Sequence, residues 1–567
     1  MSSYDSNGNG ARGATAPRRA ERIAAARREA GLTQRELAEL VGTTVWTLDR
    51  IEAGLCLPHD YTERIEIALG QQQGWLDTAP EGAPVPQIAR MAETRAPSVD
   101  MVGRNLVLGA FAVIITIRFF TESIPVLPSA GNFIDILFLP ILLAAALHVP
   151  ARGFPLVRRE SAYGVLGLCF LVICTVSATV DASRIAYGPM LLFLYGFLGP
   201  LLFYFATYRL WPAGEALSLS RLIVALGVLQ FAVIAVFDLP KFVSSRNPDD
   251  IVGTFGENAY QLVFYLLVFC ALVAGIATVE PRRPSARGAP LIFGATFVVI
   301  FLAQYRALLV ATAVVIVVVA LMLRRESGKG VLVGGAVVLA FAAGLGYVAT
   351  HFPEFKFAPT IRALQADPGS FVEGRLAPAK DIASLYADDP RFVVTGTGPG
   401  TYSSRAWRTF AEVGDPSSAE GAAQPYAAKL TGGKPYRTDV SDRYIAPRLK
   451  NAKAQAFLGS TALGSPFSSY YALLAEVGVL GFVVMTTIYL RALLASWRMA
   501  NVSLKARPRE DPIPALALAT FVAFLLLIQM GMLDNWWEVA RVTVPSWIML
   551  AVCTKEDAAR RRAGART

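Results

Sequence analysis

The chain has 567 residues, of which 54% are hydrophobic and 17% charged, and its mean hydropathy is +0.45. These values exclude a chain built only of soluble domains, because its repeated apolar runs reach the roughly 18 residues of a membrane-spanning helix. The formal net charge is +10, but residues 1–100 hold 11 Arg, no Lys and 14 acidic residues. The positive charge therefore belongs to the apolar remainder, and the composition indicates a polytopic membrane protein.

The use of cysteine and the N-terminal composition both bear on the compartment. None of the five cysteines lies in the longest polar segment, so the sequence predicts no disulfide framework. Residues 1–100 contain no apolar run after a basic start, which argues against a cleavable signal peptide. We therefore expect the N-terminal domain to stay in the cytoplasm.

The first hundred residues divide into three segments by composition. Residues 1–17 are rich in Ser, Gly, Asn and Ala and predict a disordered tail. Residues 18–76 show helical periodicity and predict a small helical domain. Residues 77–104 contain four prolines and predict a linker between this domain and the apolar part.

The stretch TQRELAELVGTTVWTLDRIEAG predicts two helices joined by a tight turn. Thr33 can cap the first helix, with Glu36 three residues later as the capping-box partner. Gly42 permits the turn, and Thr44 can cap a second helix that ends before Gly54. The apolar spacing predicts a shared core made of Ile23, Leu32, Leu37, Val41, Leu48, Ile51, Ile65 and Leu69.

Together with Pro58, this spacing resembles the lambda-repressor and Cro-like family of five-helix DNA-binding domains. The resemblance covers Arg18–Leu69 and implies a helix-turn-helix fold. In that family the residue after the capping Thr contacts phosphate, and exposed positions early in the second helix face base edges. Carried over to this sequence, the resemblance implies a DNA surface made of Gln34, Thr44, Val45, Trp46 and Arg50.

A second resemblance leaves the partner of this domain open. Residues 18–70 hold 8 Arg against 9 acidic residues, whereas a DNA-binding domain normally shows a basic footprint. Asp49 also lies on the face that would meet phosphate. The domain is similar to the cytoplasmic helix-turn-helix of the membrane-tethered RodZ cell-shape proteins, which implies a protein partner. DNA and a cytoplasmic protein are therefore alternative partners.

The apolar part predicts about twelve transmembrane helices, so the predicted fold class is all-α. The first nine lie within residues 105–350 and the last three within 468–553. We expect them at Asn105–Phe120, Asn132–Val149, Ala162–Val180, Tyr187–Thr207, Leu219–Phe237, Ala259–Val279, Pro290–Ala303, Ala307–Leu323, Val331–Thr350, Ser468–Trp497, Ile513–Leu533 and Val539–Cys553.

The distribution of Lys and Arg between these helices predicts their orientation. With the N-terminus inside, the short inner loops carry most of the basic residues, as the positive-inside rule requires. Lys241 and Arg246 are the exceptions in an outer loop. This orientation places the tail at residues 554–567 in the cytoplasm and the 117-residue polar loop, residues 351–467, on the outer face. Helical patterns such as Leu376–Tyr386 predict that this loop forms a small, partly folded cap, and a passive spacer is the alternative.

Four stretches together resemble the O-antigen ligase and O-antigen polymerase family. They are VGTFGENAYQLVFYLL (Val252–Leu267), AQYRALLVATAVV (Ala303–Val315), GRLAPAKDIASLYADDPRFVVTGTGPGTY (Gly374–Tyr402) and SSYYALLAEVGVLG (Ser468–Gly481). The resemblance rests on their order and on the face that each one reaches. It implies a glycosyltransferase of the bacterial inner membrane that uses polyprenyl-pyrophosphate-linked sugars and contacts membrane lipid.

The resemblance implies that two arginines hold the pyrophosphate. Arg306 lies at an outer turn between two membrane helices, where a charge is costly and function is the default interpretation. Arg375 begins a predicted loop helix. Guanidinium groups suit this role because they form paired hydrogen bonds with phosphate oxygens and stabilise charge on the leaving group. Snorkelling to the interface and simple solvation are the alternatives for these two residues.

The chain departs from the family at the residue expected to accept the proton of the acceptor hydroxyl. The family has His where this chain has Phe467, which cannot act as a base. Glu373, Glu476 or His351 would have to substitute, although Glu476 is equally interpretable as a structural cap. The remaining substrate-binding residues implied by the resemblance are Asn258, Tyr305 and Glu373.

The sequence predicts no cofactor, since it shows neither metal-ligand clusters nor a nucleotide-binding glycine motif. GTGPG, residues 396–400, is predicted to be a turn. The sequence thus favours a membrane glycan ligase or polymerase with a cytoplasmic DNA-binding-type module. Phe467 favours the alternative, a non-enzymatic membrane-anchored transcriptional regulator or protein-binding scaffold.

Overall fold

The computed structural model confirms the all-α fold class, because every regular element in the described part of the chain is a helix. The structure describes residues 15–43, 45–52, 59–71, 76, 99–124, 126, 133–148, 161–180, 182–245, 247–256, 259–279, 284–303, 306–323, 343, 347, 351, 368–411, 435–447, 468–506 and 513–564. The chain divides into two compact units, Met1–Met101 and Val102–Thr567.

The first unit is a helix-turn-helix domain with its own core. Its described helices are α1 (Thr15–Glu29), α2 (Gln34–Val41), α3 (Val45–Glu52) and α4 (His59–Ala68). The predicted core is confirmed: the side chains at its positions are buried together, with Leu32 packed at the edge. The core also includes Leu76, whose N–H donates to Oε1 of the buried Glu66 at 2.7 Å.

The capping box predicted for α2 is present. The Thr33 hydroxyl accepts from the Glu36 N–H at 3.2 Å, and the Thr33 N–H donates to Glu36 Oε2 at 2.9 Å. Gly42 ends the helix in the left-handed conformation, with φ of 73°. These local signals define α2 before any tertiary contact, because they satisfy backbone groups that the helix leaves unpaired at its ends.

The second unit, here called the apolar unit, begins with nine helices. They are α5 (Val99–Arg118), α6 (Ile134–His148), α7 (Ser161–Val180), α8 (Tyr187–Leu210), α9 (Ala216–Val233), α10 (Leu239–Ser245), α11 (Ala259–Val279), α12 (Pro284–Ala303) and α13 (Arg306–Leu323). Three helices then come from the predicted polar loop, and they are α14 (Pro368–Asp388), α15 (Phe392–Thr395) and α16 (Arg405–Phe410). The last three are α17 (Ser469–Ala506), α18 (Ile513–Leu533) and α19 (Ala540–Gly564).

Seven stretches in the described residues are long and apolar enough to cross a membrane. They are Met101–Ser123, Ala162–Val180, Tyr187–Leu210, Ala216–Ser245, Ala259–Thr278, Ser469–Asn501 and Ile513–Leu533. Three shorter apolar helices accompany them. Eleven of the twelve predicted transmembrane segments coincide with a described helix, and the remaining one, Val331–Thr350, falls almost entirely outside the described residues. The count of twelve therefore remains a prediction.

The core of the apolar unit lies where α17, α18 and α19 pack together and against α8 and α11. Large aromatic side chains fill it, and the rings of Tyr489 and Trp537 stack at 4.0 Å between centroids. Trp547 meets the Tyr489 ring edge-on at 5.8 Å. All three are almost fully buried, so aromatic packing contributes strongly to the stability of this part of the unit.

The described part of the polar loop forms a cap on the helix ends, as the sequence predicts. The cap consists of α14, α15, α16 and residues 435–447, and α14 and α15 pack on α17 while α16 packs on α8. A separate small core holds it together, made of Ile382, Leu385, Phe392, Tyr402, Trp407, Ala411, Val440, Ile445 and Ala475. Arg184, in the turn before α8, also forms an ion pair with Asp439 of the cap at 2.7 Å.

The opposite end of the apolar unit is fixed by a second set of contacts. At the start of α5, Arg104 pairs with Glu215 at 3.1 Å. Close to the end of α19, the Glu556 carboxylate accepts from the N–H groups of Gly214, Glu215 and Ala216 at 2.8–3.1 Å. Helix α19 therefore runs from the cap to the end at which α5 begins.

Candidate functional site

A break in α17 at Gly478 begins the candidate site. Gly478 has φ of 68°, and a Cβ atom there would lie 2.5 Å from the Val394 carbonyl oxygen of α15. The break frees carbonyl groups that a continuous helix would use internally. Ala475 O accepts from the Thr397 N–H at 2.8 Å and Glu476 O from the Gly398 N–H at 2.9 Å. The loop after α15 is therefore joined to the broken helix by backbone hydrogen bonds.

The GTGPG segment, residues 396–400, is a loop, which confirms the predicted turn. Its three glycines, Gly396, Gly398 and Gly400, have φ of 67°, 109° and 76°, a region that favours glycine. A Cβ atom at Gly396 would collide with the backbone of Glu476. The glycines therefore allow the loop to approach α17 at backbone distance.

Glu476 holds this loop through its carboxylate. The side chain is fully buried, and Oε1 accepts from the N–H groups of Tyr402, Ser403 and Ser404 at 3.0, 2.9 and 2.8 Å. Oε2 accepts from the Gly400 N–H. Charge-assisted hydrogen bonds of this kind offset the cost of burying a carboxylate. Both oxygens are occupied by the backbone, so the geometry favours the structural interpretation of Glu476 over that of a base.

The ordered loop sets the position of Arg405 at the start of α16. Ser404 caps that helix, its hydroxyl accepting from the Trp407 N–H at 3.2 Å. From the turn between α18 and α19, Asn535 Nδ2 donates to Ser403 O at 2.9 Å. Glu538 Oε2 in the same turn accepts from the Arg405 N–H at 2.8 Å. Arg405 is thus fixed from two directions, by α17 and by the α18–α19 turn.

A small cleft with a cavity volume of about 70 Å³ lies beside Arg405. Its polar wall comes from α6, α8, α16, α19 and the α18–α19 turn, and it is made of Asp135, Tyr195, Arg405, Thr409, Glu538 and Arg541. Its apolar wall includes Phe133, Ile136, Leu192 and Val539. The cleft therefore combines two guanidinium groups with an apolar surface at the boundary between the cap and the helix ends.

The charges around the cleft interact across several helices. Asp135 accepts a hydrogen bond from the Tyr195 hydroxyl and interacts electrostatically with both Arg541 and Arg405. Arg541 also interacts with Arg118, which is fully buried at the end of α5 and pairs with Glu122 at 3.2 Å. Three arginines and three carboxyl groups, those of Asp135, Glu122 and Glu538, thus form one charged cluster at one end of the apolar unit, and burial reduces the screening of their interactions by salt.

Glu538 is the carboxyl group that the α18–α19 turn contributes to this cleft. Burial raises its pKa well above the ordinary value, and the charge of Glu476 raises it further. The N–H groups of Arg405 and Ala406, with the Arg405 charge, act in the opposite direction. A larger share of Glu538 is therefore protonated at neutral pH than of an exposed glutamate.

The VGTFG segment, residues 252–256, forms a buried turn next to this cluster. The Asp238 carboxylate accepts from the N–H groups of Val252 and Gly253 at 2.9 and 2.6 Å. The Thr254 hydroxyl donates to Ile115 O of α5 at 3.1 Å. A side chain at Gly256 would collide with the Glu122 carboxylate, the partner of Arg118. The first of the four stretches therefore packs on the end of α5 that carries the buried arginine.

The structure leaves undescribed the side chains of most site residues predicted from the resemblance. Arg306 begins α13, and Glu373 and Arg375 lie in α14, but the description extends only to their backbone. Asn258, Tyr305 and Phe467 fall outside the described residues altogether. His351 is described and exposed, its Nδ1 donating to Tyr347 O at 2.9 Å.

The sequence interpretation missed four residues of the cleft, namely Asp135, Arg405, Glu538 and Arg541. Three of them carried a signal. Asp135 begins an apolar helix, and Glu538 and Arg541 lie in NWWEVAR between the last two apolar helices, where ionisable groups are costly enough to suggest function. Arg405 carried none, because nothing distinguishes it from other arginines of a polar loop.

On the first unit, the predicted DNA surface is only partly described. The Gln34 amide donates to Glu52 Oε2 at 2.9 Å and to Asp49 Oδ1 at 3.3 Å, so it is bound to carboxylates. Val45 is half-buried and packs against the domain core. Thr44 lies outside the described residues, as do the side chains of Trp46 and Arg50.

Comparison with known proteins agrees with this architecture in the first unit. Residues 23–55 match the Helix-turn-helix family. No curated protein is significantly similar to the chain. The protein thus combines a helix-turn-helix module of the DNA-binding type with an all-α unit whose helices are suited to a membrane.

Proposed function

We propose that the apolar unit transfers or polymerises glycans carried on polyprenyl pyrophosphate, at the outer face of the bacterial inner membrane. The observation that supports this most is the cleft in which Arg405 and Arg541 meet an apolar wall. The proposal also rests on the resemblance of four stretches to O-antigen ligases and polymerases. It makes the protein a metal-independent glycosyltransferase.

The chemistry of such a substrate matches the two walls of the cleft. A pyrophosphate leaving group carries several negative charges, and guanidinium groups stabilise both the bound anion and the charge that grows on the departing oxygen. The polyprenyl chain needs an apolar path from the bilayer, which Ile136, Leu192 and Val539 would provide. Burial of Arg541, which is 9% exposed, strengthens its attraction for an anion.

Arg306 and Arg375 remain part of the proposal as the pair implied by the family resemblance. Arg405 and Arg541 would then act as a second pair on the same diphosphate or as the principal one. Substitutions in each pair distinguish these possibilities. If activity is lost only when one pair is replaced, that pair holds the diphosphate during the reaction.

The experiment replaces Arg405 and Arg541 singly with Gln in the native host and measures surface polysaccharide by gel profile. We expect at least a tenfold loss, since each guanidinium contributes more than 1.4 kcal/mol to binding a charged transition state. Arg561→Gln is the matched control on α19, because Arg561 is 59% exposed and pairs with its neighbour Asp557. Unchanged polysaccharide in both cleft variants and also in Arg306→Gln and Arg375→Gln would refute the enzymatic proposal and favour a non-enzymatic membrane-anchored regulator.

We further propose that the first unit binds DNA, on the strength of the family match at residues 23–55. The test is electrophoretic retention of genomic fragments by residues 1–101, a unit with its own core, at several stated salt concentrations. Selective retention supports DNA. Its absence favours a cytoplasmic protein partner, as the occupied Gln34 amide and the exposed Asp49 suggest.

A further inference from the structure

We propose that Glu538 is the group that accepts the proton of the attacking hydroxyl in the cleft, an inference that rests on the proposed glycosyl transfer. It supplies the base that the sequence leaves unassigned when Phe467 stands at the expected histidine position. The acceptor class follows as well, since the proton must come from a hydroxyl group of a sugar or a lipid-linked glycan.

The position of Glu538 supports this role. Glu538 lines the same cleft as the two arginines, Arg405 and Arg541, that would hold the diphosphate. The hydrogen bond from the Arg405 N–H to Oε2 at 2.8 Å fixes its orientation. On the α8 side, the Cβ and Cγ atoms of Glu538 lie next to Gly196. A Cβ atom added at Gly196 would be 3.4 Å from both of them.

Of the other candidates whose side chains the structure describes, two carboxylates are engaged and one imidazole lies outside the cleft. Glu476 gives both carboxylate oxygens to backbone N–H groups of the loop that follows α15. Asp135 accepts from the Tyr195 hydroxyl and interacts with Arg541 and Arg405, an arrangement that positions the arginines. His351 is exposed and is not part of the cleft lining.

The groups around Glu538 come from several neighbouring elements, among them Tyr489 of α17, and they adjust its basicity. Glu476 of α17 adds a negative charge and, with burial, raises the pKa of Glu538. Arg405 of α16 lowers it, and Arg541 of α19 and Asp135 of α6 complete the cleft wall. A carboxyl whose pKa is raised toward the working pH is a stronger proton acceptor when ionised than an ordinary one.

The proposed glycosyl transfer conserves atoms and charge. The acceptor hydroxyl oxygen forms a bond to the anomeric carbon while the bond from that carbon to the diphosphate oxygen breaks. The electron pair of the broken bond leaves with the polyprenyl diphosphate, which Arg405 and Arg541 stabilise. The hydroxyl proton moves to the Glu538 carboxylate and later passes to water.

The principal test is Glu538→Gln, which keeps a carbonyl oxygen to accept from the Arg405 N–H but cannot accept a proton. Host membranes that contain their own lipid-linked sugars are assayed for release of polyprenyl diphosphate. We expect the rate to fall about 100-fold or more, the usual contribution of general acid–base catalysis. Asp557→Asn at the far end of α19 is the matched control.

A second measurement distinguishes catalysis from structure. Binding of undecaprenyl diphosphate to the purified full-length protein is expected to stay within twofold of wild type in Glu538→Gln and to weaken at least tenfold in Arg541→Gln. A rate loss in Glu538→Gln that is matched by an equal loss of binding or of folding would overturn the inference, because the residue would then be structural.

The pH profile supplies a third readout. Because the pKa of Glu538 is raised, its basic form increases as pH rises through that value, so the wild-type rate should rise with it. The residual rate of Glu538→Gln should lack this rise. A normal rate in Glu538→Gln beside a defect in Arg541→Gln overturns the base assignment alone, whereas normal rates in these two variants and in Arg306→Gln and Arg375→Gln overturn the proposed function itself.

Discussion

At the residue scale, Glu476 shows how one buried carboxylate orders a loop. Four backbone N–H groups between Gly400 and Ser404 converge on its two oxygens. Helix α16 starts directly after them, so the direction of the Arg405 side chain depends on this contact. Glu476 is therefore better described as a positioning residue than as part of the chemistry.

Replacing Glu476 with Ala is expected to loosen the loop at residues 396–404. Each buried N–H group left without an acceptor costs about 1–3 kcal/mol, so the variant should lose several kcal/mol of stability. Glu476→Gln keeps one carbonyl oxygen and should be intermediate. Thermal unfolding in detergent, together with limited proteolysis of the cap, measures both effects. Equal stability of the Ala variant and wild type would contradict the positioning role.

The sequence allowed only half of this role to be predicted. SSYYALLAEVGVLG identified Glu476 as an acidic residue near the start of a membrane helix, for which a cap and a base were both reasonable. Its partners are 72 to 76 residues earlier in the chain. No local spacing encodes such a contact, so only the folded cap distinguishes the two roles.

At the element scale, the break in α17 couples a helix to the cap. A straight helix would keep the carbonyls of Ala475 and Glu476 in its own ladder. Gly478 releases these two carbonyl groups. They then accept hydrogen bonds from backbone N–H groups of the GTGPG loop at residues 396–400. Two glycine-containing segments far apart in the chain therefore form one joint.

Gly478→Ala is expected to disrupt this joint. This backbone conformation is nearly confined to glycine and costs another residue about 1–3 kcal/mol, and the new Cβ would also lie 2.5 Å from the Val394 carbonyl oxygen, so we expect a loss of about 3 kcal/mol. The matched control is Gly294→Ala in α12, where a Cβ meets nothing within 4 Å. The measurement is the apparent Tm of each full-length variant in detergent. A similar Tm for both variants would show that the break tolerates a side chain.

The helices themselves followed closely from periodicity and length. Ala259–Val279 and Ile513–Leu533 have the predicted bounds, because long apolar runs end where polar or turn-forming residues begin. Helix α19 extends past the predicted Cys553 to Gly564, since Glu556 accepts from backbone N–H groups of the turn before α9. Tertiary hydrogen bonds of this kind cannot be read from hydropathy.

At the scale of the whole molecule, the cleft and the far end of α19 lie at opposite ends of the apolar unit. Arg541 lines the cleft near the start of that helix, and Glu556 contacts the turn at the end where α5 begins. If the unit spans a membrane, these two ends lie on different faces. The cleft can therefore receive a substrate delivered at the outer face only if the N-terminal module lies at the inner face.

Cysteine labelling of intact spheroplasts tests this sidedness. In a background without the five native cysteines, Leu376→Cys in α14 should react with a membrane-impermeant maleimide from outside, because Leu376 is 51% exposed in the cap. Arg561→Cys at the far end of α19 should react only after lysis. The reverse pattern would place the cleft beside the cytoplasmic module and remove the lipid-linked glycan as its substrate. The labelling result therefore decides whether the two arginines of the cleft can meet a diphosphate delivered at the outer face.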